Sequence, residues 1–261
     1  MRYAFIGCEV LFREFCISAS RSPVVLDAIW MPQGLHNIPD NLRAGVQKEI
    51  DRIDGPNAQE RKFDAILLGY ALCSNGVVGL HSYTVPLVIP RAHDCVSLLL
   101  GSKDKYQEYF DNHAGIYWYS SGWIERTLQP GKERYDNTFQ HYVDVYGEDN
   151  AEYLMEVEQG WYKGYNWATY IDWELVTSES DKKYTRECAE YLGWNYDEVK
   201  GDPKLFYDFV DGNWNPEIFQ VIEPGSVIEP EYNGMIVKSC AGCANHGEAQ
   251  CKDVTPLMSN R

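Results

Sequence analysis

Short apolar runs punctuate the first half of the chain, and each ends in a polar turn. Tyr3-Ala-Phe-Ile-Gly7 leads into Cys8-Glu9, and Val24-Val-Leu-Asp-Ala-Ile-Trp30 follows the break at Pro23. Asp64-Ala-Ile-Leu-Leu breaks at Gly69, and Pro86-Leu-Val-Ile-Pro90 runs straight into Arg91-Ala-His-Asp-Cys95. Apolar runs of this length, bounded by such breakers, predict strands. Helical spacing fills the gaps. Val10, Leu11 and Phe15 predict a helix to Ser18, and Leu42, Val46, Ile50 and Ile53 predict a second. The second has Asn37 and Pro39 at its start and Gly55-Pro56 at its end. Shorter helices are predicted near Val77–His81, from Val96 to Leu100 and over Tyr106–Phe110, and Ile116-Tyr-Trp-Tyr119 is a fifth strand ending in Ser120-Ser-Gly-Trp123. Strand–helix alternation of this kind predicts an α/β fold with a doubly wound, mostly parallel, Rossmann-like sheet.

From about Thr127 the texture changes. Seven of the eight tryptophans lie between Trp118 and Trp214, so the region reads as an aromatic-rich second α/β lobe. Helix signals recur at Asn137, at Ser180 with Gly193 closing, and at Asp202-Pro203 with Gly212 closing; residues 161–173 and 217–222 have strand character. The rings either form core and lobe interface or line a pocket for a methylated or planar ligand. Met235-Ile-Val-Lys238 predicts a last strand before a cysteine-rich tail. The expected organisation is an α/β domain over 1–125, a second α/β lobe over 126–238 and the tail over 239–261.

Composition narrows the class. A chain of 261 residues with 44% hydrophobic residues is globular. Its net charge of −16 excludes a sequence-independent hold on nucleic acid, which needs a cationic face. No apolar run approaches the roughly 20 residues of a membrane helix, and the N-terminus lacks the features of a signal peptide. A cytoplasmic protein is expected. Its eight cysteines then point to metal or catalysis before disulfides.

Three of those cysteines, Cys8, Cys73 and Cys95, follow predicted strands. In open α/β sheets ligands bind at the carboxyl ends of the strands. Thiolates there suit an iron–sulfur cluster first and zinc second; the plain alternative is three small buried side chains. His93 is a candidate ligand or general acid/base. Arg91 is a candidate contact for an anionic substrate, or pairs with a local carboxylate. Asp94 either orients His93 or caps the helix that follows. Asn75, Gly76, Glu9 and Trp123 are the remaining candidates around a cofactor, although Asn75 and Gly76 also suit a bare turn. In the tail, Cys240-x-x-Cys243 has metal-type spacing, with His246 and Cys251 behind it. Neither a Walker A loop nor a GxGxxG after a strand is present.

Leu68-Gly-Tyr-Ala-Leu-Cys-Ser-Asn-Gly76 with Gly79-Leu80, Ile89-Pro-Arg-Ala-His-Asp-Cys95, Leu100-Gly-Ser102 and Ser121-Gly-Trp123 resemble the domain-of-unknown-function family numbered 1638. The resemblance runs from Met1 to about Val227. It departs where that family has threonine–proline before Gly122-Trp123, and it leaves out the tail. Members are typical of anaerobes, and many lie near corrinoid-dependent methyltransferases, which implies a place in anaerobic one-carbon metabolism. One cysteine from each of three loops is also similar to quinolinate and diphthamide synthases, which hold a four-iron cluster.

The expectation is a metalloprotein acting on a small molecule through strand-end thiolates. The alternatives are an accessory protein delivering metal or a corrinoid to a methyltransferase, and a Cys–His thiol enzyme without metal. A homo-oligomer is compatible with either.

Overall fold

The computed structural model describes residues 1–58 and 62–241. The chain divides into two compact units. One takes Met1–Gly7, Val24–His93 and the segment from Asn213, and the other takes Cys8–Pro23 and Asp94–Gly212.

The first unit is built on β1 (Arg2–Cys8), whose last residue already belongs to the other unit, together with β2 (Val25–Met31), α2 (Pro39–Asp54), β3 (Ala65–Gly69) and β4 (Leu87–Pro90). It is completed by β8 (Phe219–Ile222), β9 (Ser226–Glu231) and β10 (Ile236–Ala241). Five strands form one sheet in the order β2-β1-β3-β4-β8. β1 and β3 run parallel from Tyr3 opposite Ala65 to Gly7 opposite Gly69. β3 and β4 are also parallel, and β8 closes the outer edge of β4 antiparallel, Leu87 opposite Ile222. Every residue of β3 and β4 is buried, which is why both read as unbroken apolar runs rather than alternating ones. Helix α2 begins with Pro39 at its first turn and turns Leu42, Val46, Ile50 and Asp54 inward. The carboxyl group of Asp54 accepts at Oδ2 from the main-chain N–H groups of Tyr83 (2.6 Å) and Thr84 (3.0 Å) and at Oδ1 from the Thr84 hydroxyl, so both buried oxygens have donors.

The second unit contains α1 (Phe12–Arg21), α3 (Cys95–Leu100), α4 (Lys103–Asn112), β5 (Ile116–Tyr119) and α5 (Ser121–Arg126). It continues with α6 (Lys132–Tyr146), α7 (Glu148–Glu158), β6 (Trp167–Asp172), α8 (Glu179–Leu192), β7 (Asn195–Lys200) and α9 (Lys204–Asp211). β5, β6 and β7 make a separate three-stranded parallel sheet. Tyr119, Ala168, Tyr170, Cys188 and Ala189 form the core between this sheet and α8. The Ser178 side chain caps α8, and Gly193 at φ 70° ends it. At the carboxyl ends of β6 and β7, Lys182 bridges Asp172 (2.7 Å) and Glu198 (2.8 Å). Desolvation works against ionised Glu198, but hydrogen bonds from Lys182, Tyr196 and Arg186 outweigh it and hold the carboxyl near 2.

The expected α/β fold with a mostly parallel sheet is present, with corrections in its wiring. β5 does not extend the first sheet, because β8 occupies the outer edge of β4. Residues 217–222 therefore serve the first unit, and the chain passes between the units after Gly7, Pro23, His93 and Gly212. Val77–His81 is a turn, not a helix. Its main chain is engaged by β9, with Gly79 N–H donating to the Ile228 carbonyl (2.8 Å) and Ile228 N–H to that of Leu80 (3.0 Å). Tyr117, Trp161, Tyr165 and Trp194 of the second unit lie against one another at centroid distances of 5.4–6.0 Å, with the Arg134 guanidinium over Trp161, so these rings pack as a cluster. Among the described residues, no helix is long and apolar enough to cross a membrane.

Candidate functional site

The loop that leaves β3 carries the most unusual backbone in the first unit. Cys73 (φ 45°), Ser74 (φ 54°) and Asn75 (φ 67°) follow one another in the left-handed region. Asparagine tolerates this conformation, but cysteine and serine gain nothing from it, and each L-residue held there costs roughly 1–2 kcal/mol. The Gly76 N–H donates to the Cys73 carbonyl (2.9 Å) and closes the turn. On one side the turn is tied to the loop after β4: Leu72 N–H donates to the Ala92 carbonyl (2.9 Å), and Cys73 N–H to that of His93 (3.0 Å). On the other side Gly76 lies against α2, where an added Cβ would sit 2.5 Å from Leu42 Cδ2. The result is a half-buried Cys73 beside exposed Ser74, Asn75 and His93.

Arg91 is engaged by the main chain around it. Its Nε donates to the Pro216 carbonyl (2.7 Å) and Nη1 to the carbonyls of Met235 (2.9 Å) and Val237, while Nη2 donates to the Gln220 side chain. Burial pulls its pKa below the ordinary arginine value. The guanidinium thus binds the end of β4 to β8 and β10. Arg91→Met is expected to cost about 2–3 kcal/mol in urea unfolding, because it strands carbonyls that lose a charged donor; an unchanged midpoint would refute the clip.

Asp94 caps α3, accepting from the N–H (3.2 Å) and hydroxyl (3.3 Å) of Ser97. It also accepts from Tyr106, whose hydroxyl is pushed up to about 12 by burial first and by Asp94 second. Cys95 is the first residue of α3, and Cys8 closes β1; both belong to the second unit, whereas Cys73 belongs to the first. Burial pushes the Cys8 thiol up to about 11, with neighbouring Glu9 adding to the shift. Glu9 opens a short 3-10 turn (Glu9–Leu11). Trp123 is half-buried in α5, where its N–H meets the capping Ser120 hydroxyl (3.4 Å) and its carbonyl accepts from Gln129 (2.9 Å). Cys240 sits inside β10, opposite Val227. Cys243 and Cys251 lie outside the described residues. Among the described residues, no three His, Cys, Asp or Glu side chains are grouped to hold a metal ion.

Sequence reasoning passes over two charged residues, Arg43 and Glu14. Arg43 of α2 grips the Cys73 loop, with Nε on the Val78 carbonyl (2.6 Å) and Nη2 on that of Asn75 (3.3 Å). Glu14 of α1 is 2% exposed, and its Oε2 has no hydrogen-bond partner. A usable signal for Glu14 is its place next to Phe15 and four residues before Ser18, on the inward face of α1.

The fold and site define a mixed α/β protein whose mostly parallel sheet carries a strained cysteine turn at its carboxyl edge. The family model described as Protein of unknown function (DUF1638) matches residues 30–210, more than half of the chain, and the chain belongs to that family. No curated protein and no solved structure matches the chain. The matched span includes the Cys73 turn, Arg91 to Cys95 and Trp123; it leaves out Cys8, Glu9, Cys240, Cys243 and Cys251.

Proposed function

We propose that the carboxyl edge of the first unit's sheet binds a small molecule and that the Cys73 thiol is its reacting group. The observation that carries this reading is the run of three left-handed residues at Cys73, Ser74 and Asn75. Strained backbone of this kind persists only where the surroundings enforce it, and it concentrates at functional sites. His93 is joined to the same turn through its carbonyl and brings an imidazole to it. In this reading the Cys73 sulfur adds to a carbonyl carbon of the substrate, the C=O π pair moves onto the carbonyl oxygen, and the thiol proton passes to His93.

The test is site-resolved alkylation of the folded chain with iodoacetamide, read by mass spectrometry across pH. Cys73 is expected to react faster at neutral pH than the same residue in the urea-unfolded chain, and faster than exposed Cys16. Reaction no faster than in the unfolded chain would sink the thiol reading.

A second reading is supported by Cys8, which ends the strand beside β3, and by Cys95 at the start of the helix after β4. Here the thiols are ligands, of an iron–sulfur cluster first and of zinc second. Iron, sulfide and zinc contents after anaerobic purification, compared between the native chain and Cys73→Ala, decide it. Stoichiometric metal lost on substitution favours this version, and metal indifferent to the substitution removes Cys73 from the ligands.

A further inference from the structure

We infer that Arg43 is a positioning residue that holds the Cys73 turn in its left-handed form, an inference that rests on the reading of Cys73 as the reacting group. A cation on the flank of an amphipathic helix would ordinarily be a solvated surface charge. Its pairing with Asp40 (2.9 Å) is of that kind, since the Asp40 side chain is 86% exposed and such i,i+3 pairs contribute little. The other two contacts are different. Nε and Nη2 form one edge of the guanidinium, and that edge spans two main-chain carbonyls of a single loop, Val78 and Asn75. Asn75 is the last of the three left-handed residues, and its carbonyl also accepts from Val78 N–H (3.1 Å). Arg43 therefore fastens the point where the left-handed run returns to ordinary backbone.

The neighbouring residue completes the grip. Leu42 is fully buried and touches the space in front of Gly76, so successive residues of α2 hold the turn by packing and by hydrogen bonding. The opposite end is held by the Leu72 and Cys73 N–H groups on Ala92 and His93. Both ends of the turn that carries the thiol are thus anchored by named contacts. A lysine cannot replace this arginine, because a single ammonium lacks the planar fork that reaches two carbonyls at once.

The experiment compares the native chain with Arg43→Lys and Arg43→Met, measuring the pH profile of Cys73 alkylation and the urea midpoint of each. Both variants are expected to slow Cys73 alkylation at neutral pH by roughly tenfold to a hundredfold and to move the midpoint of the pH profile. Arg43→Lys is expected to recover the urea midpoint without recovering the pH profile, a split that a merely structural role would not produce. A native pH profile in Arg43→Met, or full recovery of the profile in Arg43→Lys, overturns the positioning role. The two failures are separable: a native chain whose Cys73 reacts like an unfolded thiol sinks the functional reading, whereas a reactive native Cys73 left unchanged by both variants sinks Arg43 alone.

Discussion

Gly122→Ala lowers the unfolding free energy by roughly 3 kcal/mol, the upper end of what overpacking costs. Helix propensity argues the other way, since alanine is better than glycine inside a helix by about 1 kcal/mol. Sterics decide. The 3-10 turn of Glu9–Leu11 lies directly on the start of α5, and an added Cβ at Gly122 would stand 1.8 Å from the Val10 carbonyl oxygen and 2.8 Å from its carbon. These are main-chain atoms, so no rotamer change relieves the overlap, and one of the two segments must move. Urea unfolding followed by near-UV circular dichroism reads the effect through the aromatic second unit. An unchanged midpoint would mean that the two segments separate at no cost, contrary to the packing described.

Glu14→Gln stabilises the chain at pH 8 by up to about 3 kcal/mol and leaves it nearly unchanged at pH 4. Burial, with Glu125 adding to it, raises the Glu14 carboxyl from 4.5 to about 7, against the lowering effects of its own backbone N–H and of Arg13. The folded chain therefore keeps a proton that the unfolded chain has released between those two values. Below about 4.5 both states are protonated and the residue carries no penalty. As pH rises towards 7 unfolding releases a proton, so stability falls, and above 7 the buried charge imposes its full cost. Glutamine removes the charge and keeps the shape. The measurement is the difference in urea midpoint between the two proteins at each pH, in which effects common to both cancel. Parallel curves would show that Glu14 ionises without hindrance.

Much of the first sheet was legible because burial on both faces writes a strand as an uninterrupted apolar run, as in Ala65–Gly69 and Leu87–Pro90. Helix ends at Gly193 and Gly212 were legible because both adopt the left-handed φ that glycine takes freely. Strand partners were not, since periodicity names an element without naming its neighbour; Ile116–Tyr119 carries no mark that sends it to β6 instead of β4. Arg91 is marked in the sequence only by its place after a strand end, and nothing there shows that one of its acceptors is a carbonyl 125 residues away. A turn could be read at Asn75-Gly76, but the left-handed φ of Cys73 could not, because cysteine has no preference for it. It is imposed from outside, in part by an arginine that reads as an ordinary surface residue.

The order in which the chain visits its two units has a consequence for biosynthesis. The first unit's sheet is complete only when β8 arrives, after the whole of Asp94–Gly212 has been made. Until then a nascent chain carrying β1 to β4 presents the outer edge of β4 as unpaired main chain, and such an edge invites pairing with other chains. Pairings this distant in sequence also close slowly. A fragment that stops before residue 219 is thus a poor candidate for soluble expression, because it lacks the strand that covers this edge.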